Sequence, residues 1–205
     1  MSKQIRFLPF LALALGVGSS LAQAQDVRVF FGVGYATDGS IGSSTDYITG
    51  VIENAPKLDA TMGKFGGDLM ITKALGVGAE TDFSFSSSNY LGLKTRPIFY
   101  DVNGVYLPFN TKWSKVVPEI QAGIGGVRLG FNYSSCNSLV GCQTSAVGSS
   151  SHFQLHVGAA LNLYATKHVF IRPAFDYHYV PNFFQYSSNS VPEYGASIGW
   201  SFTEH

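Results

Sequence analysis

Apolar and polar residues alternate with a period of two along most of this chain, most cleanly near its C-terminal end. There Tyr194, Ala196, Ile198, Trp200 and Phe202 share one parity, and Gly195, Ser197, Gly199 and Ser201 share the other. Successive side chains of a β-strand point to opposite faces, so this parity predicts a strand with one greasy face and one small, polar face.

Seven further segments read the same way. In the first, Val27, Val29, Phe31, Val33 and Tyr35 alternate with Arg28, Phe30, Gly32 and Gly34; in the second, Phe65, Gly67, Leu69 and Ile71 alternate with Lys64, Gly66 and Asp68. The third sets Val77, Ala79, Thr81, Phe83 and Phe85 against Gly78, Glu80, Asp82 and Ser84. The fourth sets Ile98, Tyr100 and Val102 against Phe99, Asp101 and Asn103. In the fifth, Ile120, Ala122 and Ile124 oppose Glu119, Gln121 and Gly123, and the apolar parity then passes to Val127, Leu129 and Phe131. A glycine bulge at Gly125-Gly126 would restore one outer face and turn Arg128 inward. The sixth opposes Phe153, Leu155, Val157, Ala159, Leu161 and Leu163 to Gln154, His156, Gly158, Ala160 and Asn162. The seventh runs from Val169 to Tyr179 with Arg172, Asp176 and His178 on the polar side, and Pro173, which donates no ladder hydrogen bond, predicts an irregularity there.

The links add a second signal. Those after strands two, four and six are short, around Ala74-Leu75, Phe109 to Trp113 and Ala165 to His168, whereas the others are mostly longer and rich in Ser, Asn and Gly. Long links at one end and short turns at the other, with an even strand count, predict a closed antiparallel eight-stranded transmembrane β-barrel. A secreted β-sandwich shares the alternation, but its water-facing side would be rich in Lys, Glu and Thr. Here that side is mostly Gly, Ala and Ser with scattered charges, as a crowded barrel interior requires.

Only 13% of residues are charged, well below the roughly 25–35% of a soluble surface. Residues 1–24 read as a secretory signal: Lys3 and Arg6 precede the apolar run Phe7 to Val17, and Ala22-Gln23-Ala24 is a small-residue cleavage site, leaving residues 25–205 as the barrel domain. Removing Lys3 and Arg6 leaves slightly more acids than bases, no footprint for a nucleic-acid partner.

Ten inward residues predict an interior polar network: Arg28, Lys64, Asp68, Glu80, Asp82, Asp101, Glu119, Arg128, Arg172 and Asp176, with His156 and His178 of the same parity. Isolated charges there would be costly, so they are expected to pair across the lumen. His152, His156, His168 and His178 form no metal motif by spacing, since even His152 and His156 lie about 13 Å apart along a strand at roughly 3.3 Å per residue. No cofactor or metal is expected. Cys136 and Cys142, placed in the link after strand five, are expected to form a disulfide in an oxidising envelope. Outward aromatics, among them Tyr35, Tyr106, Tyr164, Tyr177, Tyr179, Phe183, Tyr186 and Trp200, gather toward strand ends where headgroups would lie.

Glu193, Gly195, Ile198 and Trp200, extended by Phe202, resemble the C-terminal assembly signal of outer-membrane barrels: polar, glycine, hydrophobic and aromatic positions at fixed spacing. The segments VPEIQAGIGGVRLGF and HVFIRPAFDYHYV are similar to strands five and seven of the small OmpA-like or opacity-type outer-membrane proteins. That resemblance implies a bacterial outer-membrane location, outer-membrane lipid and the barrel-assembly machinery as partners, and a monomer. Because the chain ends with its last strand, no peptidoglycan-binding domain is expected. The role implied is non-enzymatic: a barrel presenting surface loops for structure, envelope integrity or adhesion. A narrow channel or small-solute binder is the alternative, and a lipid-modifying enzyme a further one. Lipid A deacylases resemble the chain in size, but they need a His and a Ser on one strand, and Val180 stands two residues after His178.

Overall fold

The computed structural model describes residues 26–38, 44–45, 52–53, 57–90, 93–109, 115–137, 141–183, 185–186 and 188–203; the signal segment lies outside them. Eight long strands carry the fold: β1 (Asp26–Thr37), β2 (Asp59–Met70), β3 (Leu75–Ser84), β4 (Leu93–Tyr106), β5 (Val116–Asn137), β6 (Gly141–Tyr164), β7 (Val169–Tyr179) and β8 (Ser190–Ser201). Each pairs antiparallel with its neighbour in sequence, and β1 pairs with β8 from Arg28↔Ser201 to Ala36↔Glu193, so the sheet closes on itself. Closure satisfies every strand edge internally, the condition for a sheet to sit in hydrocarbon.

Polarity is inverted relative to a soluble protein. Phe31 is 64% exposed and Ile124 59%, while Arg28 and Arg172 are 1% and 0% exposed. An apolar outer face of this extent is stable only against lipid. The alternation sorts side chains as expected on every strand except the upper part of β5.

There the expectation fails. Register between β4 and β5 runs unbroken through Gly125 and Gly126, and the irregularity falls between Phe131 and Asn132 on the β6 side. Val127 and Leu129 therefore stay on the inner face, both fully buried, and Arg128 is exposed on the outer face instead of joining the lumen. The change of apolar parity marks a change in what fills the barrel. Near the mouth the filling is greasy: Val127 and Leu129 pack with Leu58, Met62, Val180, Phe183, Tyr186 and Val191. Phe183 and Tyr186 point inward, contrary to their reading as outward aromatics.

A second apolar layer, Phe30, Met70, Val105, Leu107, Val117, Tyr164 and Phe170, fills the end that holds both termini. Tyr164 also faces inward, its ring 5.3 Å from that of Phe170. At this end the turns after β2 and β6 share a device: the Thr72 hydroxyl accepts from Ala74 N and Leu75 N, and the Thr166 hydroxyl accepts from His168 N and Val169 N. Such side-chain acceptors satisfy amides that a tight reversal leaves open.

The mouth differs from expectation in one further way. β5 has 22 residues and β6 has 24, whereas about 9–11 suffice to cross a bilayer. Only residues 138–140 separate them, so Cys136 and Cys142 lie on strands, directly paired in register, and not in a long link. β6 loses its β7 partner beyond Leu155 and β5 its β4 partner beyond Asn132, so residues 133–137 and 141–145 continue as a two-stranded ribbon for about 16 Å at 3.3 Å per residue. Residues 145–149 are exposed on both faces, so the Ser, Ala and Gly there carry no parity signal. Pro173 does interrupt a ladder: pairing with β6 passes from Ile171↔Leu163 to Ala174↔Ala160.

Candidate functional site

Between the two apolar layers lies a band of buried charge. Arg28 starts it near the termini, with Nη2 3.0 Å from Asp68, Nη1 3.1 Å from Glu119 and Nε 3.8 Å from Asp26. Glu119 is shared, accepting two hydrogen bonds from Arg172 and one from Asn162 at 2.8 Å. Arg172 also stacks over the Phe30 ring at 4.1 Å, which ties the charged band to the floor beneath it. Nearer the mouth, Lys64 Nζ lies 3.0 Å from Glu80, 3.1 Å from Asp82, 3.0 Å from Asp176 and 2.9 Å from Glu193.

The histidines complete the upper edge. His156 approaches Asn103 at 2.9 Å and Asp176 at 3.3 Å, and its ring stacks on His178 with centroids 4.8 Å apart. Phe99 also packs against His178, with ring centroids 4.9 Å apart. Asp101 accepts from Asn103 and from Gln154, and Gln121 donates to Asp176 at 3.1 Å. His168 lies apart at the terminal end, stacked on Trp200 at 5.3 Å, and His152 meets the Phe183 edge near the mouth.

Glycine makes room for this band. A methyl at Gly158 would overlap Asp176 Oδ1 and Gln121 Nε2, and one at Gly78 would press on Asp68 Oδ1. The small residues of the polar face thus mark where the carboxylates of opposing strands lie, a closeness that a Cβ would forbid.

Of the ten inward residues read from sequence, the structure gathers nine in the lumen and leaves Arg128 outside. Sequence reasoning missed Asp26 and Glu193. Glu193 was read only as the polar position of the assembly signal, although its parity with Ser197 and Ser201 already placed it inside. Ile198, Trp200 and Phe202 of that signal face outward, and Gly195 lies on the lumen side, where a Cβ would meet the Lys64 side chain.

The ledger of charge is unequal. Among the described residues, the band holds three permanent cations, Arg28, Lys64 and Arg172, against eight carboxylates: Asp26, Asp68, Glu80, Asp82, Asp101, Glu119, Asp176 and Glu193.

A closed eight-stranded barrel with a lipid-facing exterior and a charged, plugged interior defines the class: an integral β-barrel protein of the bacterial outer membrane. Solved structures agree on the fold. The chain is similar to the outer membrane protein OprG from Pseudomonas aeruginosa (TM-score 0.59, 13% identity, covering 88% of this chain and 97% of that one). It is similar to the N-terminal β-barrel domain of Pseudomonas aeruginosa OprF (TM-score 0.52, 16% identity, 87% and 98% covered). It is also similar to Ail, the attachment invasion locus protein of Yersinia pestis (TM-score 0.51, 15% identity, 86% and 98% covered). No protein-family model matches the chain, and no curated protein matches it in sequence.

Proposed function

We propose that this protein is a non-enzymatic outer-membrane scaffold, whose plugged barrel anchors the long β5–β6 ribbon at the cell surface for adhesion or envelope integrity. The observation that carries this reading is the contrast between a lumen filled with apolar layers at both ends and two strands that outrun the strands beside them. A steady ion path would need a continuous wet lumen, and the Phe183–Tyr186 layer argues against one. A lipid-modifying site would need an outward His, whereas His178 is fully buried inside.

Further parts of the reading are that residues 1–24 are cleaved as the signal, that the assembly machinery reads the β8 segment, that the mature barrel is a monomer, and that Cys136 and Cys142 close the ribbon by a disulfide. Their direct register opposition supports the last of these. The test replaces residues 133–145 by a short turn. The shortened barrel should still reach the outer membrane and still shift mobility on boiling, while adhesion of expressing cells to surfaces or to one another falls to background. Conductance of the intact protein in planar bilayers, stable and above that of detergent alone, would refute the plugged-scaffold reading.

A further inference from the structure

We propose that Asp82, His178 and Glu193 form a site for one divalent first-row metal ion, of the kind Zn2+ represents, just beneath the apolar layer at the barrel mouth. One ligand atom from each lies within 4.8 Å of the others, and all three side chains are buried. Ligands placed about 2.0–2.2 Å from a tetrahedral ion sit roughly 3.5 Å apart, so a small side-chain movement closes the site.

The independent observation is His178. Its ring is fully buried, yet neither nitrogen makes a hydrogen bond, and Nε2 lies 3.8 Å from Glu193 Oε2. Asp82 Oδ2, the oxygen that Lys64 does not hold, and Glu193 Oε2 have no hydrogen-bond partner either. Buried polar atoms are almost always satisfied, so orphans from three side chains meeting at one point call for a missing partner. A metal ion accepts electron pairs from all three at once.

A neighbouring triad, Asp101, His156 and His178, has similar spacing but is already engaged: Asp101 accepts from Asn103 and Gln154, and His156 contacts Asn103 and Asp176. Free lone pairs therefore select the Asp82 triad. Lys64 holds Asp82 Oδ1 and Glu193 Oε1 at 3.1 and 2.9 Å, and the rings of Phe99 and His156 pack against His178. Such outer partners orient metal ligands. The surplus of carboxylates over cations in the lumen supplies the electrostatic demand for the ion. One imidazole and two carboxylates suit Zn2+ and its first-row neighbours better than Ca2+, which takes six or more oxygens.

The full-length mature barrel, refolded into detergent with Zn2+ and then washed with chelator, tests this by elemental analysis. About one retained ion per folded barrel is expected, with Glu193→Gln and His178→Phe reducing it to background and His168→Ala and Asp101→Asn keeping it. Refolding the unaltered protein with Co2+ gives a second readout that needs no variant: visible bands of a four- or five-coordinate ion with nitrogen and oxygen ligands. Heat-modifiable protein that retains no Zn2+ and shows no such bands overturns the proposal. So does metal that survives His178→Phe, or metal that is lost in Cys136→Ser or in Asp101→Asn instead of Glu193→Gln.

Discussion

Arg172 on β7 donates two hydrogen bonds to the same carboxylate oxygen of Glu119 on β5, from Nε at 3.1 Å and from Nη2 at 2.8 Å. The strands are not neighbours, since β6 lies between them, so this pair bridges the lumen instead of reinforcing a ladder. Glu119 also takes Arg28, whose own strand closes the barrel against β8.

Removing one member leaves the other buried and unpaired, which typically costs about 3–5 kcal/mol. Arg172→Ala should therefore lower the melting temperature in detergent micelles sharply. Replacing both partners, as in Arg172→Met with Glu119→Leu, should cost less than the single change, because Arg28 keeps Asp68 and no buried charge is left without a partner. Thermal melts followed by gel mobility check both; an unchanged midpoint for Arg172→Ala would show that the bridge carries no stability.

How far this interior was legible depends on parity. A period of two fixes which face a residue occupies once the strand is found, so Arg28, Lys64, Glu80 and Arg172 could be placed inside before any coordinates. What parity does not encode is the medium each face meets. Inner positions were assumed polar throughout, and Val127 and Leu129 were consequently turned outward by an imagined bulge, taking Arg128 the wrong way with them. The apolar layer they join includes Phe183 and Tyr186 from the link after β7, a contact between segments more than fifty residues apart that no local pattern records. The ribbon was missed for the opposite reason, since Ser and Gly exposed on both faces leave only backbone pairing to hold it.

That layer gives the second prediction. Phe183 is 1% exposed and packs against Tyr186 at 4.9 Å, while Tyr186 reaches the Thr95 hydroxyl at 3.2 Å. Phe183→Ala should destabilise the barrel by about 3 kcal/mol through the lost burial and the cavity left behind. It should also admit water to the top of the charged band, read as faster hydrogen exchange at Val180 and Val191 while the floor amides at Val105 and Val117 are unchanged. Equal exchange at both ends would mean that the layer does not seal the mouth.

Cys136 and Cys142 offer a third. The two residues oppose each other in register, and the proposed disulfide would close a loop so small that it adds only about 2 kcal/mol to that segment. Reduction should leave the barrel's heat-modifiability untouched but increase protease cutting near residues 133–145. A single protein species resistant to thiol alkylation before reduction is expected; alkylation of both thiols without reductant would exclude the bond.

The lipid-facing assignment can be tested where it is most exposed. Val157 is 54% exposed, faces outward between Ala159 and Leu155, and sits near the middle of the span, flanked in register by Ala122 and Tyr177. In a bilayer an arginine there must be dragged out of hydrocarbon, at about 2–4 kcal/mol near the midplane. The same change at Ser145 on the ribbon, exposed to water on this account, should cost almost nothing. Val157→Arg should thus fold poorly into vesicles while Ser145→Arg folds like the parent, measured by the boiled and unboiled gel bands after refolding. If both variants insert equally well, the outer face does not meet lipid at this depth, and the inverted polarity on which the membrane assignment depends would need another explanation.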